Sequence, residues 1–230
     1  MNRKLFIILA TTCMMQAACG GSRSRINAYT DPSFDSRSVK SVAILPMRNS
    51  QISYGDAISI NRSIQQEIAR KRPDLLIVGS EDAVKLINES GLADEYTSFL
   101  TSYYTSGIPN SNTLKKLGKA LNAETILQGG ILNVYQSDGD GWGRKGTANV
   151  TIKYGMISTK SGGIIWDATA ECQSWTATEL EQSPSVMDTV GPAINKIFAG
   201  FPLVGMEKVL QNYKTESEKK EEADQNGRGW

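Results

Sequence analysis

"TANVTIKYGMISTKSGGIIWDATAECQS", residues 147–174, decides the fold. Its first half alternates with period two over part of its length, and the turn residues Lys160-Ser161-Gly162-Gly163 precede a second strand pattern. Two strand patterns joined by so few turn residues make an antiparallel hairpin. Immediately upstream, "ETILQGGILNVYQ" (124–136) reads as a third strand, and Gly129-Gly130 suggests a bulge within it.

Further towards the amino terminus the pattern changes. "VKSVAILPM" (39–47) is a buried strand that Pro46 ends. A helix follows over residues 54–72. It carries Ala57, Ile60, Ile64 and Ile68 on one face, with Arg70, Lys71 and Arg72 at the end where the helix dipole favours cations. "LLIVG" (75–79) is a second buried strand, and Ser80 is the expected cap of a helix that closes near Gly91. A polar-aromatic stretch (92–110) carries no assigned element. Asn110 or Ser111 then caps a helix bearing Leu114, Leu117 and Leu121. After the hairpin, Val186, Val190, Ile194, Ile197 and Phe198 keep helical register. The order βαβα(α)βββα predicts an α/β (α+β) class. It has a mixed sheet with parallel first strands, an antiparallel carboxyl-terminal hairpin, and helices packed on it.

The ends read differently. Arg3 and Lys4 followed by an apolar run from Leu5 to about Met15 form a secretory signal, shorter than the roughly 20 apolar residues a spanning helix needs. Ala17-Ala18-Cys19 resembles the lipobox of bacterial lipoproteins, with Gln16 where that motif has an aliphatic residue. The resemblance implies cleavage before Cys19 and acylation of its thiol. By the same resemblance, Gly20 in place of Asp favours the outer membrane. Residues 1–18 are then the signal peptide, 19–38 a lipidated flexible tether, 39–205 the folded domain, and 206–230 a charged, helical or disordered tail. A tether of about 18 flexible residues has an r.m.s. reach of roughly 20–25 Å.

Composition excludes several functions. Removing Arg3 and Lys4 from 25 basic residues leaves 23 against 24 acidic ones, so no basic excess points to nucleic acid. The chain has no histidine, which rules out Ser-His-Asp and Cys-His catalysis and every His-ligated metal site. Gly141, Gly143 and Gly146 fit Gly-x-Gly-x-x-Gly, but a strand pattern follows them where a dinucleotide site needs a helix. Asp138 and Asp140 do not open an EF-hand loop, because Trp142 and Asn149 occupy two of its ligand positions. Of three cysteines, Cys172 alone would remain unmodified, on a strand and without a partner. No cofactor, no metal and no catalytic residue is expected, and the chain is expected to be non-enzymatic. Tyr96, Phe99, Tyr103 and Tyr104 are candidates for a partner-binding surface, since tyrosine is enriched at interfaces. Trp142 and Arg144, at a loop tip, are further candidates, while Trp166 is expected in the core.

Three stretches together resemble a known family: "SVAILPMRN" (41–49), "LGKALNAETILQGGI" (117–131) and a Thr-x-x-Gly-x-Ile-x-Trp hairpin made by Thr159, Gly162, Ile164 and Trp166. Over roughly residues 39–200 the chain resembles the TolB amino-terminal-domain-like fold of envelope lipoproteins in the LpoB and CsgG group. The resemblance implies a lipid-anchored periplasmic protein of the outer membrane. Such a protein binds other envelope proteins, or assembles with copies of itself, within secretion, motility or cell-wall machinery. Activation of a peptidoglycan synthase is the alternative it implies. A secretion channel is disfavoured, because residues 124–174 are used up by three sheet strands.

Overall fold

The structure is a computed structural model that describes residues 21–49, 51–178, 182–204 and 209–210. Six strands form one mixed sheet: β1 (Gly21–Thr30), β2 (Ser41–Ile44), β3 (Leu76–Val78), β4 (Thr125–Ser137), β5 (Thr147–Ser158) and β6 (Ile164–Trp175). Their order across the sheet is β1-β6-β5-β4-β2-β3. β2 runs parallel to both β3 and β4, and the remaining pairs are antiparallel. Among the described residues there are five helices: α1 (Tyr54–Lys71), α2 (Ser80–Glu89), α3 (Ala93–Ser106), α4 (Ser111–Leu121) and α5 (Val186–Ala199).

Alternation along the strands divides the core into two layers. Val42 and Ile44 of β2, with Ile152, Tyr154 and Met156 of β5 and Trp166 of β6, pack against Ile60, Ile64 and Ile68 of α1 and Val190, Ile194 and Phe198 of α5. Ala43 and Leu45 point the other way, onto Ala83 and Ile87 of α2, Phe99 and Tyr103 of α3, and Leu114, Leu117 and Leu121 of α4. Each fully buried aliphatic side chain contributes about 1.5–3 kcal/mol relative to exposure.

Local chemistry sets the helix boundaries. The Ser53 hydroxyl accepts from the Asp56 N–H at the start of α1, and Pro73 follows its carboxyl end. Asn110 caps α4 by accepting from the N–H groups of Asn112 and Thr113. Ser185 and Asp188 form a reciprocal capping box on α5. α2 departs from expectation: its cap residue is Gly79, and Ser80 is its buried first residue.

Three further expectations change. Residues 21–30, read as flexible tether, form the ten-residue edge strand β1, paired from Gly21↔Trp175 to Thr30↔Trp166. The segment behind it is held as well, with the Asp31 N–H donating to the Ile165 carbonyl and Phe34 packed against the core. The folded unit therefore includes residues 21–38 and does not start at residue 39. Residues 93–106, left without an element, form α3. The irregularity in β4 falls between Ile131 and Asn133, just beyond the Gly129-Gly130 pair. Of residues 206–230, only Val209 and Leu210 are described; both are buried, and the Leu210 N–H donates to Asn195 Oδ1 at 2.9 Å.

Candidate interaction surface

Helices cover most of one face of the sheet, thinning out over β1, and less of the other. The layer formed by α2, α3 and α4 meets β5 and β6 at Ile157 and Ile164, beside the β5–β6 turn, and its Tyr103 reaches as far as Gly155 and Lys153. Beyond that point the face turned away from α5 is polar. Thr147, Asn149, Thr151 and Lys153 alternate with the buried Ala148, Val150, Ile152 and Tyr154 on β5. On β6, Asp167, Thr169, Glu171 and Gln173 alternate with Trp166, Ala168, Ala170 and Cys172. Cross-strand register extends the face onto β1, where Arg23, Arg25, Asn27 and Tyr29 stand opposite Gln173, Glu171, Thr169 and Asp167.

Two rows define the centre of this surface. Arg25, Glu171 and Thr151 lie side by side on successive strands, and so do Arg23, Gln173 and Asn149. These six residues line a shallow groove of about 370 Å³. Arg23, Arg25 and Glu171 are exposed, and none makes an ion pair among the described residues. Further along, Lys153 Nζ lies 2.8 Å from Asp167 Oδ2, with both side chains only 21% exposed. The same ammonium sits 5.0 Å from the centre of the Tyr103 ring. Unpaired guanidinium and carboxylate groups displayed on a rigid sheet are available to a complementary partner, and Arg's planar fork suits carboxylates in particular.

The aromatic candidates on α3 lie elsewhere. Phe99 and Tyr103 are buried, and Tyr96 and Tyr104 are half-buried. Their rings form a chain from Tyr96 to Phe99 to Tyr103 to Tyr104, with centroids 6.4, 5.8 and 5.2 Å apart. Tyr103 and Tyr104 reach β5 and β4 at Gly155 and Gly130, where a side chain would collide with the phenol oxygens. The Tyr96 hydroxyl donates to Gln128 Oε1 at 3.3 Å. Burial pushes all three tyrosines above the ordinary value of 10, so they remain neutral phenols. They join α3 to the sheet, which corrects the expectation that Tyr96, Phe99, Tyr103 and Tyr104 form a partner surface.

Trp142 and Arg144 lie where the sequence suggests, on the exposed β4–β5 loop. Trp142 is 93% exposed. Asp140 organises the loop: its carboxylate accepts from the N–H groups of Trp142 and Arg144 and pairs with Arg144 Nε at 2.7 Å. The Arg144 guanidinium, followed by those two N–H groups, holds the Asp140 carboxyl at about 2. Trp166 is fully buried, as expected. Burial also pushes the Cys172 thiol up, consistent with a small apolar core residue. Cys19 lies outside the described residues. Among those residues, no group of three or more His, Cys, Asp or Glu could hold a metal ion, and no helix is long and apolar enough to cross a membrane.

Sequence reasoning missed Arg23, Arg25, Glu171 and Gln173. A signal was present: Arg23, Arg25, Asn27 and Tyr29 recur at every second position of "SRSRINAYT".

No protein-family model and no curated sequence matches the chain. Solved structures do. The PelC dodecamer from Paraburkholderia phytofirmans aligns at 12% identity and a TM-score of 0.46, covering 79% of this chain and 97% of that one. Lipoprotein GNA1162 from Neisseria meningitidis aligns at 12% identity and 0.43, covering 69% and 97%. The carboxyl-terminal domain of LpoB from Escherichia coli aligns at 9% and 0.33, covering 57% and 81%.

Proposed function

We propose that this chain is a lipoprotein anchored through Cys19 at the periplasmic face of the outer membrane. Its role is that of a non-catalytic, protein-binding component of an envelope assembly. The anchor is supported by the basic and apolar leader ending in Ala17-Ala18-Cys19. The observation that carries the binding role is the uncovered face of β5, β6 and β1, where Arg23, Arg25 and Glu171 stand exposed and unpaired. A sheet that builds a two-sided core at one end, and leaves one polar face of β5, β6 and β1 uncovered at the other, offers that area to something outside the chain. The partner is another envelope protein with acidic groups placed to meet the two arginines.

Two measurements test this. The Cys19→Ser variant should leave the membrane fraction. A photo-crosslinking residue at Thr151 should capture a partner in intact cells, and adding Arg25→Glu should abolish that capture. Arg25 is exposed on an edge strand, so its reversal should cost no more than about 1 kcal/mol, even with the new carboxylate opposite Glu171. Undiminished membrane partition of Cys19→Ser refutes the anchor. Unchanged crosslinks with Arg25→Glu refute the assigned face.

A further inference from the structure

The sheet has two ends, and the sequence places the anchor at one of them. Gly21 pairs with Trp175, Trp175 with Thr147, and Thr147 with Ser137. Neighbouring strands lie about 4.8 Å apart, so Ser137 stands roughly 14 Å from Gly21 across that end. Cys19 precedes Gly21 by two residues, a span of about 7 Å at most. The β5–β6 turn is at the other end, about 40 Å away along β5.

The β4–β5 loop rises from the end at which the anchor enters. At its middle is Trp142, with Arg144 and Lys145 beside it. Gly141 and Gly143 adopt φ angles of 70° and 113°, in the left-handed region that favours glycine. Asp140 then fixes the backbone on both sides of the indole. The loop is also tied at its flanks: the Ser183 N–H donates to Asp138 Oδ1, and the Gly146 N–H to Thr176 Oγ1. A second indole, Trp175, lies against Gly21 itself, leaving no space for a side chain there. An indole held almost wholly in water by a braced loop is unfavourable unless that environment changes. The membrane–water interface is where tryptophan gains most, with its ring among the headgroups and its N–H still hydrated. Arg144 is held by Asp140, and Lys145 beside it adds a charge that anionic headgroups attract. Asp138 and Asp140 are engaged within the loop and its flank.

We infer that Trp142 and its loop seat in the headgroup layer of the membrane that holds Cys19, so that the lipid fixes the end of the sheet and the loop fixes its orientation. This rests on the acylation proposed above, but the two are separable by experiment. Full-length acylated protein is reconstituted into vesicles of phosphatidylethanolamine and phosphatidylglycerol, with and without brominated acyl chains, and tryptophan emission is recorded. The buried Trp166 supplies an internal reference. Brominated chains should quench the wild-type emission, and Trp142→Phe should lose a clear part of that quenching while floating with the vesicles as before; Trp230, and Trp175 beside Gly21, supply any remainder. Wild-type emission that is unquenched while the protein floats overturns the inference and leaves the anchor standing; that is the outcome if Trp142 docks on a protein instead. Equal quenching of the wild type and Trp142→Phe also overturns it. Flotation of Cys19→Ser reads the anchor alone. If that variant floats undiminished, acylation is refuted, and the quenching difference still decides the loop contact.

Discussion

Gly118→Ala should destabilise the protein, although helix propensity alone predicts the reverse. Gly118 lies within α4, where alanine is favoured over glycine by about 1 kcal/mol. A Cβ at this position would stand 2.5 Å from Cβ, 2.7 Å from Oγ1 and 2.9 Å from Cγ2 of Thr159. Thr159 cannot simply turn away. It is buried, and its hydroxyl reaches the Ala123 carbonyl at 2.8 Å and that of Glu124 at 2.9 Å. Overpacking costs about 2 kcal/mol and loss of the hydroxyl's hydrogen bond about 1 kcal/mol, against the gain of about 1. The net loss is about 2 kcal/mol, or roughly 4–8 °C in Tm for a domain of this size. Urea unfolding of the variant in a Cys19→Ser background measures it. Thr159→Ser retains the colliding Cβ and should not rescue the variant. Thr159→Gly removes it, so a double-mutant cycle between Gly118→Ala and Thr159→Gly should show a favourable coupling of about 1–2 kcal/mol. If Gly118→Ala proves as stable as its parent, the close approach of α4 to the β5–β6 turn is refuted.

Two further outcomes follow from the core and the loop. Trp166→Ala should cost about 3–5 kcal/mol in guanidinium unfolding, because the indole is fully buried with the rings of Phe198 and Phe201 at 5.9 and 5.0 Å; a loss below about 1 kcal/mol would contradict that packing. The Asp140 carboxyl is held at about 2, below the ordinary 3.8, so its bonds to the loop are complete above pH ~4 and are lost as the pH falls towards 2. The amide resonances of Trp142 and Arg144 should follow that transition in Asp140 and should lack it in Asp140→Asn; loop resonances indifferent to pH would refute the brace.

What could be read from the residues depended on where each segment's stability comes from. β2 and α1 declare themselves because burial imposes a period: Ile60, Ile64 and Ile68 fall on one helix face, and "VAIL" is buried on both faces of its strand. β1 obtains its place from backbone pairing along β6. Of its ten residues, only Gly21 and Ile26 are even half-buried, so the hydrophobic signal is nearly absent and serine, arginine and glycine read as linker. α3 was obscured because its buried face is aromatic among serines and threonines. The spacing of Tyr96, Phe99, Tyr103 and Tyr104 is helical, but tyrosine on a polar segment also suits a surface. The deciding fact is on other strands, where Gly130 and Gly155 leave room for the two phenols. That complementarity joins residues more than 25 positions apart, and no local window contains it. Trp142 needed no such information, since a tryptophan between glycines in a turn has nothing of its own to pack against.

Reassigning residues 21–30 from linker to strand changes the mechanics of the proposed anchor. A flexible tether of about 18 residues would let the domain roam roughly 20–25 Å from the lipid and present any side to it. With β1 in register from Gly21, the proposed anchor residue Cys19 lies within two residues, at most about 7 Å, of the strand. Under the proposed anchor, a strand that starts beside the membrane raises its side chains to set heights: Arg25, four residues beyond Gly21, stands about 14 Å above the end of the sheet. A partner for that arginine must offer its acidic groups at the same height above the same bilayer. A partner itself held at the membrane meets this requirement at once. For such a pair, confinement supplies the effective concentration, and the small number of charged contacts on the open face is then enough.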